Sequence, residues 1–175
     1  MTKIVLIQGS MNQKSRTALV VNAFARHLQE KQIDFDIIDL RKTNMEFCDG
    51  RPLEEYHQDI QDAYAVLETA DAVVIGMPVY QTSVSGPLKN FLDITSGAIE
   101  QKFFGIVCNS GGTRSYFAAA DLMKILSFEV NAMPLQPVVH SCAEDFENGM
   151  ISNDAVHKRI AKLTENLLKY ASLNV

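Results

Sequence analysis

Several residue types and sequence patterns are scarce in this chain, and each scarcity narrows what the protein can be. The 175 residues include no tryptophan, five prolines and three widely spaced cysteines, Cys48, Cys108 and Cys142. An odd number of distant cysteines suggests neither a disulfide framework nor a CxxC site. We therefore expect reduced thiols and a cytoplasmic location. No apolar run approaches membrane-spanning length, and the amino terminus lacks a signal-peptide pattern, so we expect no membrane partner.

The motifs of several enzyme and metal-site classes are also missing. The four histidines are scattered, with no HExxH motif and no close Cys/His group, so we expect no bound metal. There is no GxSxG nucleophile elbow, which argues against hydrolase chemistry. The phosphate-binding Walker A sequence and the GxGxxG dinucleotide fingerprint are both absent. A net charge of -5 argues against a nucleic-acid partner.

The residues that are present predict one domain over 1–175, in which strands and helices alternate five times. Such alternation is typical of a parallel sheet with right-handed crossovers and helices on both faces, a three-layer α/β sandwich. Five strands fit the flavodoxin-like order 2-1-3-4-5. The predicted strands are 3–8, 35–40, 71–76, 103–108 and 129–139. Five helices are predicted: the first runs from the end of the first loop to about residue 31, and the second covers about 54–69. The third begins near residue 85, the fourth covers about 116–127, and the last includes 156–170.

The fifth predicted strand contains two prolines, Pro134 and Pro137. Each removes a backbone donor from the hydrogen-bond ladder. We therefore expect this strand either to lie at a sheet edge or to be broken into two pieces.

Three polar loops follow the first, third and fourth strands, and in the predicted order they converge at the switch point, where open α/β sheets bind ligands. The first loop, which begins at Gly9, presents Ser10, Ser15, Arg16 and Thr17 around a helix start. Free N–H groups and the helix dipole favour an anion there, and a monophosphate fits best. The alternative is that Ser15 only caps the helix.

The second loop carries Pro78, Tyr80 and Ser83, and the third carries the adjacent pair Gly111 and Gly112. Tyr80 could lie against a planar ring, or it could be an ordinary surface tyrosine. Bare backbone amides in the third loop suit the polar edge of a ring, although the loop could also be a simple helix entry capped by Thr113 or Ser115.

Together these loops resemble the NAD(P)H-dependent FMN reductases, a family of flavodoxin-like flavoproteins. The resemblance extends to about residue 128, and it lies in Gly-Ser-x4-Ser-Arg-Thr, Pro-Val-Tyr-x2-Ser-x-Ser-Gly-x-Leu-Lys-x2-Leu-Asp and Ser-Gly-Gly. It implies an FMN phosphate at the first loop, the flavin ring against the second and its pyrimidine side near the third. The implied cofactor residues are Gly9, Ser10, Ser15, Arg16, Thr17, Pro78, Val79, Tyr80, Ser83, Ser110, Gly111, Gly112 and Thr113. Many relatives have an arginine where this sequence has Asn12, so that arginine's contacts do not carry over.

The resemblance implies hydride transfer from NADH or NADPH to the flavin and onward to a small acceptor such as free flavin, a quinone or an azo compound. No catalytic acid or base side chain is expected, because the flavin supplies the chemistry. A homodimer or homotetramer is implied as well, with residues 41–53 and 141–153 as candidate rims of the acceptor site. A flavodoxin-type electron carrier is the main alternative function, and a flavin-free scaffold is the other.

Overall fold

A twisted parallel sheet forms the centre of the molecule, in a computed structural model that describes residues 2–172. The strands are β1 (Lys3–Gln8), β2 (Asp34–Asp39), β3 (Ala72–Tyr80), β4 (Ser83–Val84), β5 (Phe103–Asn109), β6 (Met133–Pro134), β7 (Val139–Ser141), β8 (Phe146–Glu147) and β9 (Met150–Ile151). The helices are α1 (Arg16–Glu30), α2 (Gln58–Glu68), α3 (Gly86–Thr95), α4 (Ala118–Glu129) and α5 (Asp154–Ala171).

The strand order confirms the prediction from the sequence. The sheet runs β2-β1-β3-β5, and both β6 and β7 pair in parallel with the remaining edge of β5. The fifth predicted strand is therefore an edge strand and is also broken into two pieces. Its predicted bounds were wrong, because α4 continues to Glu129 and the second piece extends to Ser141.

Burial on both faces of the sheet explains the apolar runs in the strands. Along β1, Val5 and Ile7 pack on one side with α2, α3 and α4, whereas Ile4 and Leu6 pack on the other side with α1 and α5. Successive side chains of a strand point to opposite faces, so a run without polar residues fills two cores at once. The apolar positions of α5 are spaced by three and four residues and all face the second core: Val156, Ile160, Leu163 and Leu167.

The segments between regular elements hold short structures that the sequence did not indicate. The helix predicted from residue 54 begins instead at Gln58, because Leu53–Glu55 form a 3-10 turn and the His57 side chain caps the helix. Within 141–153, β8 and β9 form a small antiparallel hairpin. No helix in residues 2–172 has both the length and the apolar character that a membrane crossing requires.

Candidate functional site

A cleft of about 310 Å³ opens at the carboxyl ends of the central strands, and all three polar loops contribute to its walls. Parallel strands end at the same edge of a sheet, so loops far apart in sequence meet there. The cleft is lined by nine of the predicted residues: Ser10, Ser15, Arg16, Thr17, Pro78, Val79, Tyr80, Ser110 and Gly111. Three further residues line it: Asn12, Lys14 and Asn109.

Four predicted residues do not line the cleft. Gly9 lies behind the wall, where its N–H donates to the Gly76 carbonyl at 2.9 Å. A Cβ on Gly9 would be only 2.6 Å from that same oxygen, so glycine is required for this close approach. Ser83 donates its hydroxyl to Asp121 of α4 at 2.7 Å, which ties the second loop to that helix. The other two, Gly112 and Thr113, continue the third loop beyond Gly111 and are exposed.

A buried glutamine holds the first loop in shape. Gln8 is 2% exposed, its amide nitrogen donates to the Ser10 carbonyl at 2.8 Å, and its amide oxygen accepts from the Ser10 N–H at 2.8 Å. The same amide nitrogen also donates to Asp39 at 2.9 Å. Burial alone would raise the pKa of Asp39, but hydrogen bonds from Arg41 and Gln8 outweigh it and keep that pKa below its usual value. Gln8 therefore anchors Ser10 to the ends of two strands.

The helix that follows the first loop begins with a hydroxyl cap and two cations. The Ser15 hydroxyl oxygen accepts from the Ala18 N–H at 3.0 Å, so the predicted capping role is confirmed. No acidic residue lies in the first turn, and Lys14 and Arg16 flank the cap. Neither cation forms an ion pair within residues 2–172. This end of α1 therefore favours an anion through its charge, its dipole and its free N–H groups.

The second loop is more regular than the sequence indicated. The predicted strand ends at residue 76, but β3 continues to Tyr80 and returns through β4 as a short hairpin. Its two turn residues, Gln81 and Thr82, both have positive φ values, 50° and 60°. A two-residue turn with positive φ at both positions matches the twist of the flanking strands. Glycine or asparagine is usual at such positions, but here neither residue is glycine or asparagine. The hairpin holds Tyr80 at the cleft with 54% of its surface exposed.

The third loop is organised by Ser110, whose hydroxyl donates to the Gly112 carbonyl at 2.7 Å. The same hydroxyl oxygen lies 2.9 Å from Nε2 of His140, a residue of β7. Within residues 2–172, the N–H groups of Gly111, Gly112 and Thr113 donate to no protein acceptor. Gly111 lines the cleft, so one of these three free donors borders it, and the other two lie in the exposed continuation of the loop.

The sequence did not indicate some of the residues that line the cleft or support its walls. Asn12 was noted only as a departure from the family, yet it lines the cleft and its side chain accepts from the Lys14 N–H at 2.9 Å. An asparagine in a polar loop is a signal for such a turn, because its side chain can accept from the backbone N–H two residues further on. His140 gave no signal, because it lies 30 residues from Ser110 in a strand whose register could not be predicted.

Two other chemistries are disfavoured by the described residues. Among residues 2–172, no three His, Cys, Asp or Glu side chains lie close enough to share a metal ion. Burial raises the pKa of the Cys108 thiol to about 12, so this cysteine is not an activated nucleophile.

Known proteins with similar sequences include flavin reductases and azoreductases. An NAD(P)H-dependent FAD/FMN reductase of Geobacillus thermodenitrificans is 31% identical over 134 residues, which are 75% of this chain and 72% of that protein. An FMN-dependent NADPH-azoreductase of Staphylococcus aureus is 28% identical over 169 residues, which are 92% of this chain and 90% of that protein.

Solved structures show the same fold at lower identity. The flavoenzyme NAD(P)H:(acceptor) oxidoreductase of Paracoccus denitrificans has a TM-score of 0.79 at 16% identity, with 98% of each chain covered. The apo form of an NADH:FMN oxidoreductase has a TM-score of 0.76 at 20% identity, covering 100% of this chain and 90% of the other. The sequence profile described as NADPH-dependent FMN reductase matches residues 2–147. This chain therefore belongs to the NADPH-dependent FMN reductase family.

Proposed function

We propose that this protein holds FMN in the cleft between its three loops, takes hydride from NADPH or NADH, and passes electrons to a planar aromatic acceptor. Family membership makes it an NAD(P)H-dependent FMN oxidoreductase. The assignment of FMN to this cleft is supported by the chemical difference between the two ends of the cleft. One end has a helix terminus with two cations that form no ion pair within residues 2–172, and the other has the free backbone N–H of Gly111.

The phosphate of FMN belongs at the first loop. Ser15 already accepts a hydrogen bond from Ala18, but its own hydroxyl proton remains available to a phosphate oxygen. Thr17 lines the same end, and its hydroxyl makes no hydrogen bond within residues 2–172. Lys14 and Arg16 add charge, and the Arg16 guanidinium is steadied above the Phe146 ring at 5.9 Å. These groups suit a doubly charged monophosphate ester.

The ring system belongs between the second and third loops. Pro78 and Val79 form an apolar wall next to Tyr80, and Gly111, whose N–H is free, lies in the part of the lining that the third loop provides. Donors directed at the pyrimidine edge would stabilise negative charge on the reduced ring. The volume of about 310 Å³ is at the lower end for a ligand pocket, which suits a cofactor whose ring stays partly exposed.

Bound FMN supplies the redox chemistry, because its ring accepts a hydride and later releases two electrons. The protein therefore needs no side-chain acid or base in the cleft, and no carboxylate, histidine or cysteine lines it; its titratable lining groups are Lys14, Arg16 and Tyr80. What the chain would contribute is orientation of the cofactor and charge compensation at its phosphate, and it would leave room beside the ring for a nicotinamide.

One feature favours the reductase over a flavodoxin-type carrier. Carriers commonly cover both faces of the flavin with aromatic side chains. Here Tyr80 lines the cleft, whereas the ring of Tyr116 packs edge-on against His140 at 5.5 Å and does not line it. One ring face is therefore left for a second planar molecule.

Rapid mixing of the FMN-loaded protein with NADPH and with NADH tests the reductase assignment. We expect loss of the oxidised flavin absorbance with at least one nucleotide. Bound flavin that neither nucleotide reduces would favour the carrier. Protein that remains colourless after incubation with FMN would favour the flavin-free scaffold.

For the acceptor, we favour azo compounds and quinones over free flavin. The azoreductase relatives cover most of the chain, and a planar acceptor can use the ring face that the nicotinamide leaves. A panel of an azo dye, a quinone and free FMN, each with both nucleotides, tests this choice. A clearly higher kcat/KM for free FMN would overturn it.

We further propose a homodimer in the cytoplasm; the tetramer is the alternative assembly. An apolar cleft of about 380 Å³ lies between the first loop and the start of α3, and Met11, Met45, Phe47 and Pro87 help to line it. Phe47 is 87% exposed in the single chain, and a second copy would cover it. Light scattering should give twice the mass of 19.5 kDa, and Phe47→Asp should shift it towards the monomer. Reduced thiols fit the cytoplasm, since all three cysteines are unpaired.

A further inference from the structure

His140 lies behind the third loop and is connected to it, although it does not line the cleft. Its strand β7 pairs with β5, which brings Cys108 opposite His140 and Asn109 opposite Ser141. The Nε2 atom of His140 is 2.9 Å from the Ser110 hydroxyl oxygen, and that hydroxyl is 2.7 Å from the Gly112 carbonyl oxygen. A chain of two hydrogen bonds thus joins a strand of the sheet to the loop.

Counting protons assigns the direction of both hydrogen bonds. A carbonyl oxygen only accepts, so the single hydroxyl proton of Ser110 must point to Gly112. The hydroxyl oxygen then acts as the acceptor towards the ring, and His140 must carry a proton on Nε2. In the Nδ1–H tautomer, Nε2 would be an acceptor, so Nε2 and the Gly112 carbonyl oxygen would compete for the single hydroxyl proton of Ser110. Neutral His140 is therefore the Nε2–H tautomer.

The same chain of hydrogen bonds sets the orientation of a peptide group in the loop. Ser110 holds the Gly112 carbonyl towards itself. The C=O and N–H of a trans peptide point in opposite directions, so the N–H of Thr113 points away from Ser110. This N–H is one of the three free donors of the loop.

The surroundings of His140 restrain the ring. The ring of Tyr116 packs against it edge-on at 5.5 Å, from the segment that follows the loop. Arg159 of α5 donates to the backbone carbonyl of His140 at 3.1 Å. The charged groups that act on the ring are Arg159 and Asp145; burial and Arg159 lower the pKa of His140, and Asp145 acts in the opposite direction. The ring is therefore neutral near pH 7, and it donates from Nε2 in either protonation state.

We propose that His140 is a positioning residue for the cofactor site: through its Nε2–H and the Ser110 hydroxyl, it fixes the third loop, so that Ser110 and Gly111 keep their places in the cleft wall. This inference rests on the proposed function, because it needs FMN in the cleft. It adds a residue that does not itself line the cleft.

Two variants of His140 separate this role from simple packing. His140→Gln places an amide N–H close to where Nε2 lies and keeps the donor, whereas His140→Leu fills similar space without one. We expect His140→Leu to raise the Kd for FMN about tenfold, which corresponds to loss of one hydrogen bond of about 1–1.5 kcal/mol. We expect His140→Gln to stay within about threefold of the wild type. Kd is measured by quenching of flavin fluorescence, and urea unfolding of each apo variant shows that it is folded.

The network makes two further measurements decisive. Ser110→Ala should weaken FMN binding at least as much as His140→Leu, because Ser110 also lines the cleft, and the double variant should be no weaker than Ser110→Ala, because both changes break the same chain of hydrogen bonds. In the wild-type protein, nitrogen NMR should show the Nε2–H tautomer of neutral His140, and this reading does not depend on FMN.

Wild-type Kd in folded His140→Leu, additive losses in the double variant, or an Nδ1–H tautomer would each overturn the proposal. If His140→Leu does not fold, the Gln variant and the tautomer decide: an Nε2–H tautomer with near-normal Kd in His140→Gln supports it. A wild-type protein that binds no FMN would instead refute the proposed function. The tautomer measurement would then still test the hydrogen-bond network.

Discussion

Replacing Ser15 with alanine should weaken FMN binding and destabilise the folded chain, by two separable effects. The hydroxyl oxygen accepts from the Ala18 N–H at 3.0 Å, and loss of a helix cap costs about 1 kcal/mol of the free energy of unfolding. The hydroxyl proton is free to donate to a phosphate. Loss of a hydrogen bond to a charged group costs about 1.5–3 kcal/mol, which is roughly a 10- to 150-fold increase in Kd for FMN.

Two control variants separate the cap from the phosphate contact. Asn153 caps α5 in the same way, with its side chain accepting from the Ala155 N–H at 2.9 Å, and it lies outside the cleft lining. Asn153→Ala should therefore lower stability without changing the Kd. Ser15→Asp should keep the cap, because aspartate is a good capping residue. Its negative charge should nevertheless repel the phosphate, so stability should be retained while FMN binding is largely lost.

The measurements are urea unfolding of the apo proteins and fluorescence titration with FMN at one ionic strength. Riboflavin, which lacks the phosphate, provides a ligand control: its affinity should change little in Ser15→Ala. If Ser15→Ala leaves the Kd for FMN unchanged while lowering stability, Ser15 is only a cap, and the anion site at the first loop is refuted.

Four further outcomes test other parts of the structure. Gly112→Val should leave stability unchanged, because a Cβ there meets no protein atom within 4 Å, yet it should lower FMN occupancy; full occupancy would remove that residue from the site. Gly76→Ala should cost about 1–3 kcal/mol in urea unfolding, since its Cβ would lie 2.8 Å from a backbone oxygen, whereas Gly86→Ala, which meets nothing within 4 Å, should cost nothing. Thr82→Gly should raise the free energy of unfolding by about 1 kcal/mol by relieving a positive φ, and a loss would show that the turn is unstrained. Burial lowers the pKa of His27 below 6.5, so near that pH it is mainly the unfolded chain that gains a proton at this position. The free energy of unfolding should therefore fall as the pH drops through 6.5, and it should fall less in His27→Gln. Unfolding measured from about pH 5.5 to 8 checks this.

The strand order was predictable because it depends on residue types that follow simple rules. Apolar runs bounded by polar residues mark buried parallel strands, and alternation with helices leaves few topologies. Loops at the carboxyl ends of β1, β3 and β5 then had to meet, and nine of the predicted residues line one cleft. These predictions needed only the residue types and their order along the chain, and no distance between residues.

The missed features depend on register and on contacts between distant residues. The extension of β3 to Tyr80 could not be seen because its turn uses Gln81 and Thr82, which are unusual residues at positive φ. Ser83 was predicted to contact the flavin from its place in the second loop, and its hydrogen bond to Asp121, 38 residues away, could not be read from the sequence. His140 was missed for a similar reason, since only the pairing of β7 with β5 brings it near Ser110.

The two borders of the sheet also bear on whether copies of this protein can join strand to strand into fibrils. Within residues 2–172, one border is β2, which carries Asp34, Asp36 and Asp39, and the other is interrupted, with pieces of only two and three residues. A polymer growing through unpaired strands needs a long border free of charge. The carboxylates on one border and the gap in the other therefore disfavour strand-to-strand growth at either side of this sheet.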